Sequence, residues 1–106
     1  MNMELGKEQN NLACYTLLVD LLWEVRKLID SPNTDITWSN YRSVEEVLSA
    51  CDTYIERLNE NDKSVVTELE LLFAPTGSLQ EISISSGWSN EYIGLSSRFD
   101  DIVGCN

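Results

Sequence analysis

Apolar residues recur at helical spacing through most of this chain. Between Glu8 and Ile29, the residues Cys14, Leu18, Leu21, Leu22, Val25, Leu28 and Ile29 fall at i, i+4, i+7, i+8, i+11, i+14 and i+15, one continuous stripe. Leu12, Val19 and Trp23 form a second apolar line nearly opposite it, and only Thr16, Asp20, Glu24 and Lys27 make a clear polar strip. A helix that is apolar on most of its circumference is generally buried from several sides. This segment is therefore expected to be the centre post of the fold, with Trp23 in the core and a partner contact as the lesser alternative for that residue. The polar residues 1–8 are expected to fray.

Asp30-Ser31-Pro32-Asn33-Thr34-Asp35 breaks the helix with proline and turn-forming residues. Residues 36–41 are too short to classify as a helical turn or an extended segment, and Trp38 and Tyr41 read as lids on the core. Ser43-Val44-Glu45-Glu46 is a capping box. It opens a helix over 43–59 in which Val44, Val47, Leu48, Cys51, Ile55 and Leu58 repeat every three or four residues, with Tyr54 at the edge. After the turn cluster Asn59-Glu60-Asn61-Asp62, either Asp62 or Ser64 can cap a helix over 63–73, with Val65 or Val66, Leu69, Leu72 and Phe73 inward.

Ala74-Pro75-Thr76-Gly77 ends that helix: proline lacks the amide donor, and the glycine is expected to supply a backbone angle that other residues avoid. Ser78-Leu79-Gln80-Glu81 is a second S-x-x-E box and predicts a helix over 79–86. Ile82, Ser83, Ile84 and Ser85 alternate like a strand, but no partner strand exists to satisfy its hydrogen bonds, so helix is preferred. Gly87 is placed to stop it. Ser89 or Asn90 then caps a last helix over 90–103 carrying Tyr92, Leu95, Phe99, Ile102 and Val103. The pattern predicts an all-α fold, a compact bundle of about five helices forming a single domain over residues 1–106.

Charge changes the picture. Eighteen acidic against seven basic residues leave a net −11, beyond the roughly 2–8 comfortable for a small domain. Residues 1–42 hold four basic and six acidic residues, a net of −2, while residues 43–106 hold Arg57, Lys63 and Arg98 against twelve acids, a net of −9. On the second helix Glu45, Asp52, Glu56 and Glu60 lie within about 80° of one another, at about 100° per residue, away from the apolar stripe. Such a run is either a solvated face or a docking surface for a cationic partner. Nucleic acid and anionic membranes are disfavoured as partners, because both repel the chain.

Chemistry is scarce. The chain has no histidine, which removes Ser-His-Asp and Cys-His nucleophiles and His-containing zinc sites. Cys14, Cys51 and Cys105 are an odd, widely spaced set, expected as reduced thiols in a cytosol and not as a disulfide framework. The glycines match no phosphate-binding pattern, residues 30–35 lack the spacing of a calcium loop, and no carboxylate pair stands out for acid–base work. No enzyme, cofactor or metal is expected. The N-terminus lacks a signal-peptide pattern and no apolar run is long enough to cross a bilayer, so a cytoplasmic location is expected.

The segment Phe73-Ala74-Pro75-Thr76-Gly77-Ser78-Leu79-Gln80-Glu81-Ile82-Ser83, with the following Gly87-Trp88 to Phe99-Asp100, resembles bacterial immunity proteins. These small intracellular proteins are encoded beside polymorphic toxins, including those of contact-dependent growth inhibition systems. The resemblance covers about a quarter of the chain and implies stoichiometric binding and blockade of a cognate toxin domain. It carries no residue over. From charge and expected exposure, the candidate partner-binding residues are Glu45, Asp52, Glu56, Glu60, Glu81, Trp88, Glu91 and Tyr92. The acids would steer encounter with a basic nuclease toxin, and aromatics such as Trp38, Trp88 or Tyr92 would anchor it. An all-helical adaptor that self-associates through the first helix is the alternative, followed by a nucleic-acid mimic without a toxin.

Overall fold

The computed structural model describes residues 2–37, 39, 41–74 and 77–104, with the side chains of 2–13 outside that description. Five helices follow one another: α1 (Asn2–Ile29), α2 (Val44–Asn59), α3 (Ser64–Leu72), α4 (Ser78–Ser86) and α5 (Ser89–Gly104). Residues 79–86 are helical, and the described residues contain no strand. The polar start expected to fray is helical from Asn2, since no proline interrupts the run of helix-forming residues there. At about 1.5 Å per residue the 28 residues of α1 account for most of the 50 Å long axis.

The stripe on α1 is the floor of the core. Leu18, Leu21, Leu22, Val25 and Ile29 are sealed from solvent, each such burial stabilising by about 1.5–3 kcal/mol. α2 packs along one flank of α1 and α5 along the other, while α3 is attached to α2 and α4 to α5. α2 runs antiparallel to α1: Arg26 meets Asp52, and Tyr15 feels the charge of Asp62 beyond the end of α2. α1 is therefore central, flanked by α2 and α5, with one face left bare by the described helices. Trp23, expected in the core, is 46% exposed, because its position turns to the face that no helix among the described residues covers. Leu12 of the same line lies outside the described side chains.

The helix ends show which local signals won. Ser43 is extended and accepts from the Glu46 amide at 3.1 Å, capping α2 as expected. The Asp62 carboxylate accepts from the Ser64 amide at 3.0 Å at the start of α3. Asn61 before it takes a left-handed φ of 60°, which asparagine tolerates. The capping box expected at Ser78 does not form. Gly77 is the capping residue of α4 and has no side chain to accept from the first turn, and Ser78 is already helical.

Gly77 also departs from expectation in its backbone angle. Its φ is an ordinary −81°; a Cβ there would lie 2.6 Å from the Leu71 carbonyl oxygen and 2.8 Å from that of Leu72. Glycine is needed for close approach to the end of α3, not for an unusual angle. Pro75 and Thr76 lie outside the described residues. Gly87 does take the left-handed φ of 88°, and the amides of Gly87 and Trp88 both reach the Ser83 carbonyl, at 3.0 and 2.9 Å, closing α4 with a left-handed C-cap. α5 starts at Ser89, with the Trp88 carbonyl accepting from the Tyr92 amide, so neither Ser89 nor Asn90 stands at the capping position one residue before the helix.

Behind that turn lies an aromatic cluster. Phe73 stacks on Phe99 at 4.5 Å and on Tyr92 at 6.2 Å, and Trp88 meets Tyr92 edge-on at 6.3 Å. Tyr41 is half-buried against the core, as a lid should be, while Trp38 lies outside the described residues.

Candidate partner-binding face

The acidic stripe on α2 is solvent-facing. Val47, Cys51, Ile55 and Leu58 are driven into the core, and at 3.6 residues per turn this leaves Glu45, Asp52, Glu56 and Glu60 on the outer side, all exposed. Asp52 is the exception to the expected surplus of charge. Arg26 of α1 donates to it at 2.8 Å, and the same guanidinium lies 5.8 Å from the centre of the Trp23 ring, within cation–π range. Asp52 thus pins Arg26, and Arg26 steadies Trp23, along the α1–α2 seam. Glu45, Glu56 and Glu60 take part in no ion pair among the described residues.

A second charge cluster locks α2 to α3. Arg57 bonds Asp62 at 2.8 Å and Glu68 at 2.5 Å and donates to the Ser64 hydroxyl. Hydrogen bonds from Ser64 and Arg57 hold the Asp62 carboxyl below its usual range. These acids are neutralised within the protein and are structural. Next to them, Tyr41 and Tyr54 share a hydroxyl contact, and burial pushes Tyr41 up to about 12.

The remaining candidates are scattered. Glu81 is half-buried in the first turn of α4. Glu91 is exposed but lines a groove of about 550 Å³ between α1 and α5, together with Lys27, Arg98 and Glu24. Arg98 pairs with Glu24 at 2.6 Å, and its hydrogen bond holds the Glu24 carboxyl low. α5 flanks α1 on the side opposite α2, so Glu91 and the α2 stripe belong to different patches.

Two candidates do not occupy the surface assigned to them. Trp88 is 7% exposed and Tyr92 2%; Tyr92 packs on Phe73 and Trp88 on Tyr92, which removes both as exposed anchors. Trp23 is the aromatic that flanks the acidic stripe. Its position off the main α1 stripe was the signal for this. What the sequence could not supply was that no helix among the described residues covers that side.

Burial leaves two orphan groups. Neither the Trp88 Nε1 nor the Tyr92 hydroxyl has a hydrogen-bond partner among the described residues, a cost of about 1–3 kcal/mol for such a group. Burial pushes the Tyr92 hydroxyl up to about 12, opposed by the nearby Ser96 side chain and helped by the charge of Asp100; the Ser96 contact falls short of hydrogen-bond geometry.

Cys14 and Cys51 are free and buried, with Cys51 pushed up to about 11 by burial, so neither presents a ready nucleophile. Cys105 lies outside the described residues. Among the described residues no group of three histidine, cysteine or acidic side chains could hold a metal ion, and no helix is long and apolar enough to cross a membrane. Comparison with family models, curated proteins and solved structures finds no match.

Proposed function

We propose that this chain is an immunity protein that binds a cognate bacterial toxin domain, a cationic nuclease, and blocks it stoichiometrically in the cytoplasm, with no reaction of its own. The observation that carries this is the outer face of α2. Glu45, Glu56 and Glu60 stand exposed with no ion pair among the described residues, beside the exposed Trp23. Glu56 and Glu60 are like charges one turn apart, mildly destabilising unless a partner compensates them. A nuclease must present positive charge to its phosphate substrate, and an acidic face beside an aromatic anchor is complementary to that surface. The resemblance of residues 73–100 to immunity proteins points the same way.

Co-production with the small cationic domain encoded beside its gene tests the proposal. The expected result is a stoichiometric complex in which nuclease activity is lost. A domain that stays active with the chain in excess contradicts it. The exposed Trp23 also supports a second reading, an adaptor that self-associates through α1. Sedimentation over a range of concentrations separates the two: a dimer abolished by Trp23→Ala supports the adaptor, and a monomer opposes it.

A further inference from the structure

A small cleft of about 230 Å³ opens between α4 and α5, lined by Gln80 from α4 and by Tyr92, Ile93, Ser96, Ser97 and Asp100 from α5. Tyr92, Ser96 and Asp100 follow at i, i+4 and i+8 and so share one face of α5. The cleft is below the size that takes a drug-sized ligand but suits one long side chain. Among the described residues its only charged lining group is Asp100, and Asp100 makes no ion pair with any of them. Arg98 is turned to the other flank of the helix, against Glu24. The Tyr92 hydroxyl, in a side chain that is 2% exposed, is without a hydrogen-bond partner among the described residues. At the rim Ile93 is 64% exposed.

We infer that this cleft receives one basic side chain of a protein partner, an arginine in preference to a lysine. Asp100 takes the charge, and the oxygens of Gln80, Ser96 and Tyr92 accept its remaining N–H groups. Ile93 covers the alkyl stem, as apolar surface does for long cationic side chains. A guanidinium offers five donors in a planar fork, which suits several acceptors around one carboxylate better than an ammonium does. The identity of the partner as a cationic toxin rests on the inhibitor reading above; the preference of the cleft for a guanidinium does not.

The test is a nuclear magnetic resonance titration of the whole chain with N-acetyl-arginine methylamide, with the lysine and uncharged citrulline counterparts as controls. Saturable shifts are expected at Gln80, Tyr92, Ser96 and Asp100, strongest for arginine and absent for citrulline. Asp100→Asn should weaken binding about tenfold or more, as for a hydrogen bond to a charged group, and Asp101→Asn should leave it unchanged. Tyr92→Phe should weaken it a few-fold without lowering the melting temperature, because the hydroxyl it removes has no hydrogen-bond partner among the described residues. An affinity unaltered by Asp100→Asn, an equal response to citrulline, or shifts confined to α2 would overturn the inference. Should the probe bind here while no cationic toxin binds the chain, the inhibitor reading fails and the cleft stands. The reverse pattern sinks the cleft alone.

Discussion

A methyl group added at Gly77 would sit 2.6 Å from one backbone carbonyl oxygen and 2.8 Å from another, whereas one added at Gly94 would meet nothing within 4 Å. Backbone cannot swing aside as a long side chain can, so Gly77→Ala should destabilise by about 1–3 kcal/mol, in the range of an overpacked core. Gly94→Ala in the interior of α5 should stabilise by about 0.5–1 kcal/mol. Urea unfolding of the two variants checks both signs, and equal effects would contradict the difference in surroundings.

The need for glycine at position 77 was visible in the sequence, but its reason was not, because close approach depends on where α3 ends in space. Tyr92 was more legible than its assignment to the surface allowed. It heads the stripe Tyr92, Leu95, Phe99 and Ile102, all buried, so its own periodicity argued for the core. Trp88 had no such stripe to betray it; its burial follows from the turn at Gly87.

At the scale of elements, the 3–4-residue spacing located four of the five helices, and the S-x-x-E pattern with the missing partner strand decided residues 79–86 in favour of helix. Local capping patterns were less dependable. The same S-x-x-E spacing yields a capped helix at Ser43 but not at Ser78, since Gly77, held against the carbonyls of α3, takes the capping position first. Ser43→Ala should therefore cost about 1 kcal/mol, measurable as a shift in the urea midpoint; no loss would mean that the Ser43 hydroxyl is not supporting α2.

Arg57→Met removes the cation shared by Asp62 and Glu68 and should lower the urea midpoint only slightly, because solvent screens a part-exposed pair. That loss should shrink in high salt, which distinguishes a lost charge pair from lost packing. The ion pairs could not be read from sequence, because Arg26 with Asp52 and Arg98 with Glu24 join residues on different helices.

For the molecule as a whole, pH sets stability through groups that resist ionisation. Burial pushes Cys51 from 9.0 to about 11 and Tyr41 and Tyr92 from 10.0 to about 12. Between those limits the unfolded chain has released protons that the native state still holds, so stability falls as pH rises through about 9–12. Tyrosinate absorbance should then appear together with alkaline unfolding, and tyrosines titrating freely near 10 in the folded protein would contradict it. At the acid end Glu24, Asp35 and Asp62 are held low by their hydrogen bonds. Their contribution is present above the ordinary carboxyl range and is lost as pH falls through the lowered values, partly offset by relief of repulsion within a chain of net charge −11.

That net charge is the feature on which the functional account depends, and the sequence located most of its excess beyond residue 43 without revealing which acids are already paired. The most direct test is the association rate of the chain with the cationic toxin domain proposed as its partner, across a range of ionic strengths, for the native protein and for the Glu56→Lys, Glu60→Lys double variant. The account predicts a native rate that falls steeply with salt and a variant that associates more slowly with a much flatter dependence. Identical rates and slopes for the two proteins would contradict a role for the α2 face.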